Sequence, residues 1–340
     1  MSRRADPLWR RSLPVIGAAT AIVLGVLLCL YLFDVILLVF AGVLLAVLMR
    51  APADAIAARG WLGPRWALAL VLIASFALLG AGGWLFGREI AGELGELFQN
   101  LPKIALKVRE KFSQFSWALE PLGIENVFSG RGVSVVAATF GAAADLVIVF
   151  FLALFLAIQP ELYLSGVLRL LPHAGRERGR QVLCAVGRTL RWWLLGQGIM
   201  MLAVAAMTGV GLWLLEVPMA FALALLAGLL EFVPYLGPIL AAVPAVIVAL
   251  GQDPLLAGYV LLVFGGVHAI EGYILQPIVQ QKTVYVAPAV VLLAQVVFFL
   301  TLGALGAMLA TPIAAALVVV TRMLYVEDVL GERRAGGERA

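Results

Sequence analysis

Two glutamates interrupt stretches that otherwise carry no acid or base stronger than histidine. Glu231 stands in the apolar run 218–250 and Glu271 in the run 255–275, while Asp145 is a third acid in the run 133–158. An ionisable side chain at bilayer depth costs at least ~2.5–3.5 kcal/mol, so it faces a cavity or a partner and marks a candidate site. Removal from water disfavours the charged form of any carboxyl, which suits such a group to taking up and releasing protons. That is the chemistry of a proton- or cation-coupled carrier. Two structural roles compete with it. Glu231 could cap backbone freed at a nearby break, and Glu271 could pair with His268, three residues earlier on one helix face.

Polar and helix-breaking residues surround these acids. Pro234, Gly237 and Pro238 follow Glu231 closely, and such breaks free backbone carbonyls and amides at membrane depth. Gln276, Gln280, Gln281 and Gln295 could meet an uncharged hydroxylated solute, or simply mark the membrane interface. Gln197, after Gly196, could bond between helices. Lys282 reads as the cytoplasmic edge of a span or as a substrate contact.

The elements that must position these residues are membrane helices. Of the 340 residues, 63% are hydrophobic and 13% charged, against about 45–50% and about 25% in soluble domains. So few charges cannot cover a water-soluble surface of this size, whereas lipid removes the need. Crossing ~30 Å of hydrocarbon at ~1.5 Å per residue takes about 20 apolar residues. The runs 13–33, 66–86, 133–158 and 192–215 meet that length, and 35–49 is shorter and needs its flanks. The run 13–33 is too long for a secretory h-region and is expected to be retained as a first helix.

Loop charge sets the orientation. Segment 50–65 holds three arginines against Asp54, and segment 159–191 holds six against Glu161 and Glu177. Both are expected in the cytoplasm, as are the N-terminus and the tail with Arg333, Arg334 and Arg339. Segment 87–132 balances six bases against six acids and falls outside. Within it Ile90, Leu94, Leu97, Leu101, Ile104, Val108, Phe112, Phe115 and Leu119 recur every three or four residues, an amphipathic helix that packs on the membrane domain, on a neighbour, or captures substrate.

The last third of the chain carries two interrupted segments. Residues 219–230 and 239–250 are halves of 12 residues each, about 18 Å as helix, and suit a re-entrant hairpin. Residues 288–321 are uncharged for 34 positions, ~51 Å of helix, with Gly303, Gly306 and Pro312 as breaks. Two broken segments point to a midplane transport site. An alternative makes each a single tilted crossing. The expected fold is an all-α integral membrane protein of about six full transmembrane helices plus two broken or re-entrant hairpins, or eight spans by simple hydropathy. Its parts are N-terminal membrane helices 1–86, an extracytoplasmic helical segment 87–132, a transport domain 133–325 with a cytoplasmic basic loop 159–191, and a tail 326–340.

Other functions are excluded by what is missing. No G-x-x-x-x-G-K-[ST] loop, H-E-x-x-H pair or periodic arginine helix occurs. Two histidines and two cysteines leave little for a conventional zinc site, so no metal or cofactor is expected, and no enzyme. The net charge of +4 lies in loops, which argues against nucleic acid.

Several blocks in order carry a family resemblance: Glu231-Phe-Val-Pro-Tyr-Leu-Gly-Pro238, Ile270-Glu271-Gly-Tyr-Ile-Leu-Gln-Pro277, Pro288, and Gly303-Ala-Leu-Gly306 through Thr311-Pro312. Together with Leu195-Gly196-Gln197 and the layout of spans, they resemble the autoinducer-2 exporter family of permeases over roughly 13–325. Gly272, Gln281 and Ala287 depart from the usual asparagine, glycine and histidine. The resemblance implies export of a small solute in some members and cation–proton antiport in others. It also implies a homo-oligomer, hairpins that move in an elevator-like manner, and site positions at Glu231, Glu271, Gln276, Pro277, Thr311 and Pro312. The expected protein is a secondary transporter of a small polar solute in the bacterial inner membrane, using protons or monovalent cations. A sodium or lithium/proton antiporter and a non-transporting scaffold are the alternatives.

Overall fold

The computed structural model describes residues 32–60, 62–111, 132–280 and 287–331. Among the described residues every regular element is helical. The first expected span, 13–33, falls almost wholly outside them, as does Lys282.

Helix α1 (Phe33–Ala57) and helix α2 (Pro64–Lys111) follow from long charge-poor runs. Helix α2 runs 48 residues without interruption, ~72 Å at the helical rise. The expected boundary at 86/87 is therefore no structural break, and Pro102 is accommodated inside the helix. Its first part, Pro64–Leu85, is long and apolar enough to cross a membrane. Its second part turns Leu97 and Leu101 into a buried cluster with Leu223, Ala245 and Val248.

Helix α3 (Gly132–Ile158) ends at a bend of 88° into helix α4 (Pro160–Arg169). Pro160 has no N–H to continue the ladder, and its ring drives Gln159 out of the helical region, to φ −133° and ψ 63°. Helix α5 (Arg176–Leu214) begins six residues beyond α4. The segment 159–191, expected as a loop, is thus mostly helix. Its arginines sit on α4 and on the first turns of α5, where the helix outruns the apolar span.

Helices α6 (Ala220–Leu230) and α7 (Leu236–Gln252) are the two short apolar helices around the first break. They share the buried cluster that contains Leu223, Ala227, Ala241 and Ala245. Gly237 and Pro238 lie in the first turn of α7, so only Pro234 of the three breakers falls in the connection. Proline is tolerated there because the first turn has no intrahelical acceptor for its missing N–H. Helix α8 (Pro254–Ile270) starts on a capping bond from the Leu255 amide to Asp253 Oδ1, 3.1 Å. It continues through a π-helical turn, Glu271–Leu275, into Gln276–Gln280.

Helix α9 (Pro288–Thr321) contains a sharp break at Gly303, φ 68° and ψ −154°, a backbone state that only glycine adopts without strain. The chain folds back on itself there. Gln295 Nε2 donates to Thr311 Oγ1 at 3.2 Å, although residues 16 apart on a straight helix lie ~24 Å apart. Gly306 also packs against the Phe298 carbonyl, with no room for a β-carbon. Spin labels at the exposed positions Leu292 and Leu317 should therefore read below ~20 Å by double electron–electron resonance, where a continuous helix would place them about 37 Å apart. The longer distance would rule out this fold-back.

Each hairpin is anchored at its open end. Glu93 of α2 accepts from the Ala222 amide at 2.9 Å, placing a carboxylate on the free amides that begin α6. Ile104 packs against Gly251 near the end of α7. The far end of the α9 hairpin is gripped by Arg178 of α5, which donates to the Met323 carbonyl at 2.8 Å, Glu327 Oε2 at 3.0 Å and Asp328 Oδ2 at 2.9 Å. Five described helices are long and apolar enough to cross a membrane, or six if α3 and α4 count as one bent span. The chain is a multi-pass membrane protein.

Candidate functional site

Glu231 closes α6 at the break and Glu271 opens the π-helical turn after α8, so each acid sits where a helix loses its regular ladder. Such π-turns recur at functional sites because they redirect a side chain and loosen a carbonyl. The two breaks bring Glu231, His268 and Glu271 together, with one donor atom from each residue all within 4.8 Å of one another. His268 Nδ1 lies 2.7 Å from Glu271 Oε2, and this pair is the i,i+3 contact expected from spacing. It is part of the cluster rather than an alternative to it.

Glu231 is the buried member of the cluster, while His268 and Glu271 are half-buried. Glu231 is 1% exposed. Its Oε2 and His268 Nε2 are both shielded from solvent and have no hydrogen-bond partner among the described residues. Two carboxylates this close repel unless a proton or cation lies between them.

Gln197 on α5 positions the break from behind. Its Nε2 donates to the Glu231 main-chain carbonyl at 2.5 Å, a group left free where α6 ends. Trp193, one turn earlier, packs edge-on to Phe232 with ring centroids 5.7 Å apart. On the other side of the break, Tyr235 holds φ 68° and ψ −49° as it enters α7. A bulky residue there is a backbone outlier of the sort held in place only by its surroundings. Tyr235 belongs to the block Glu231–Pro238, but residue type gives no sign that its φ is positive.

The remaining sequence candidates divide. Gln295 and Thr311 meet in the α9 hairpin, both buried, and Gln295 Oε1 has no partner. Pro312 is buried beside them in sequence, whereas Gln276 is half-buried and Pro277 exposed. None of these belongs to the three-residue cluster. Asp145 also stands apart, on α3, which packs chiefly on α1. A cleft of about 490 Å³ between α5 and α8 is lined by apolar residues such as Met207, Val210, Val263 and Ile270, and contains none of the acids.

Residues 18–325 match the family described as "AI-2E family transporter". The chain belongs to this family. Among its relatives, the "Putative transport protein MT0215" of Mycobacterium tuberculosis (strain CDC 1551 / Oshkosh) is 29% identical over 341 aligned positions, covering 92% of this chain and 88% of that protein. Two Bacillus subtilis (strain 168) proteins of the same description match about half of each chain. YrrI is 29% identical over 50% of this chain and 48% of its own length, and YueF is 26% identical over 54% and 50%. This AI-2E family member is therefore a membrane transporter.

Proposed function

We propose that this AI-2E transporter is a secondary carrier that exports a small polar solute across the bacterial inner membrane, coupled to protons or monovalent cations at the Glu231–His268–Glu271 cluster. The carrying observation is the convergence of three titratable side chains within 4.8 Å at two helix breaks. A structural ion pair needs two partners, and this site has a third, with unpartnered buried atoms on Glu231 and His268.

The hairpin anchors support alternating access. Taking the arginine-rich start of α5 as cytoplasmic, Arg178 ties the α9 hairpin to the inner face, and Glu93 ties α6 to the outer face. Re-entrant hairpins from opposite sides would then meet near the acids, with cytoplasmic termini. A homo-oligomer would give the moving hairpins a fixed frame.

Sodium or lithium/proton antiport is the second reading. It is favoured by the compactness of the cluster, which suits an ion, and by the apolar lining of the neighbouring cleft, which offers an organic solute nothing to bond.

Proteoliposomes with a trapped pH dye test both. Solute-driven proton flux from a panel of small polyols supports the first reading, and flux from sodium or lithium alone supports the second. In either case Glu271→Gln should reduce coupled flux to the level of empty liposomes while leaving insertion intact. Normal coupled flux in that variant would remove the cluster from the mechanism.

A further inference from the structure

We propose that the Glu231–His268–Glu271 cluster is a binding site for a borderline divalent transition ion, with zinc as its best fit. The inference concerns the same residues as the carrier reading but does not depend on transport taking place.

The donor set carries the argument. A site built for magnesium or calcium needs oxygen donors, six to eight of them for calcium. Here one of three donors is an imidazole, which suits zinc and its neighbours in the first transition row. His268 Nδ1 and Glu271 Oε2 lie 2.7 Å apart, so an ion seated between them takes the place of the shared proton, with Nδ1 as the imidazole donor and the ring proton on Nε2. Glu231, 1% exposed, supplies the third donor, and its Oε2 is buried without a hydrogen-bond partner among the described residues.

Size and charge agree. Zinc–oxygen and zinc–nitrogen bonds of ~2.0–2.2 Å put tetrahedral ligands about 3.4 Å apart, a spacing within the 4.8 Å that encloses the three donor atoms. Two carboxylates and a neutral imidazole with a doubly charged cation make a neutral site. A fourth position stays open to water or solute. Zinc seated there displaces the proton or monovalent cation and blocks coupled flux.

The test uses tag-free full-length protein in nanodiscs, stripped with chelator and titrated with zinc alone. Elemental analysis after desalting should show one zinc per chain. His268→Gln should weaken binding at least ~10-fold, while His173→Gln, on an exposed turn, should leave it unchanged. Zinc binding that persists in His268→Gln, or no binding by the wild type, overturns the site. Cobalt in the wild type guards against a variant that misfolds. Intense visible bands of a four-coordinate nitrogen–oxygen site support the proposal, and only weak six-coordinate bands reject it. Proton flux measured without metal is a separate result. Zinc binding without flux would sink the carrier reading alone, and flux without zinc binding would sink this one alone.

Discussion

Glu231→Gln should reduce coupled flux to background while the protein still inserts and folds. Glutamine matches glutamate in volume and keeps an oxygen acceptor, so the buried space around position 231 stays filled. What it loses is the ability to carry a charge or exchange a proton, the one property that the coupling reading asks of a residue 1% exposed. Gln197→Leu separates chemistry from placement. Gln197 donates to the main-chain carbonyl of Glu231, not to its carboxyl. Removing that donor leaves a buried carbonyl unsatisfied, at a cost of about 1–3 kcal/mol. Thermal unfolding should fall in Gln197→Leu and hold in Glu231→Gln, with flux reduced in the first and absent in the second. A Glu231→Gln protein that transports normally would show the carboxyl to be a structural cap.

Gly237→Ala should prevent the first hairpin from closing. A β-carbon at position 237 would run into the carbonyl of Leu230, across the connection between α6 and α7. The obstacle is backbone, so no rotamer change relieves it. The helices must part, and the carbonyl of Glu231 moves off Gln197. Overpacking of this kind costs ~1–3 kcal/mol and more where the neighbour cannot yield. Gly266→Ala on α8 is the control, since a β-carbon there meets nothing within 4 Å. Monodispersity in detergent and the unfolding midpoint should drop for Gly237→Ala and stay level for Gly266→Ala. Equal behaviour of the two would mean that the α6–α7 connection is looser than the structure describes.

Membrane character was legible from charge scarcity, because a soluble surface cannot be built from so few charged residues. The periodic face of Leu94, Leu97, Leu101 and Ile104 was legible for the same reason that any amphipathic helix is, and the structure sets these residues against the α6–α7 core. The i,i+3 spacing of His268 and Glu271 was enough to anticipate their contact. All of these are local properties, written in composition or in a period of 3.6 residues.

Other features depend on contacts between residues far apart in the chain. Sequence could mark Gly303, Gly306 and Pro312 as breaks but left a tilted span open, and it was the Gln295–Thr311 bond that showed the chain folding back. Helix continuity through 86/87, and helix in place of a basic loop at 160–169 and 176–191, were hidden because charge reports solvent exposure, not backbone conformation. The π-helical turn at Glu271 and the positive φ of Tyr235 have no residue signature. Glu231 and Glu271 were recognisable singly as charges within apolar runs, but their convergence with His268 needed two helix breaks to face each other. The same tertiary arrangement leaves Asp145 on another helix pair, although hydropathy alone had placed it beside the other acids as a candidate. Hydropathy registers that a charge is buried, whereas packing decides what it is buried against.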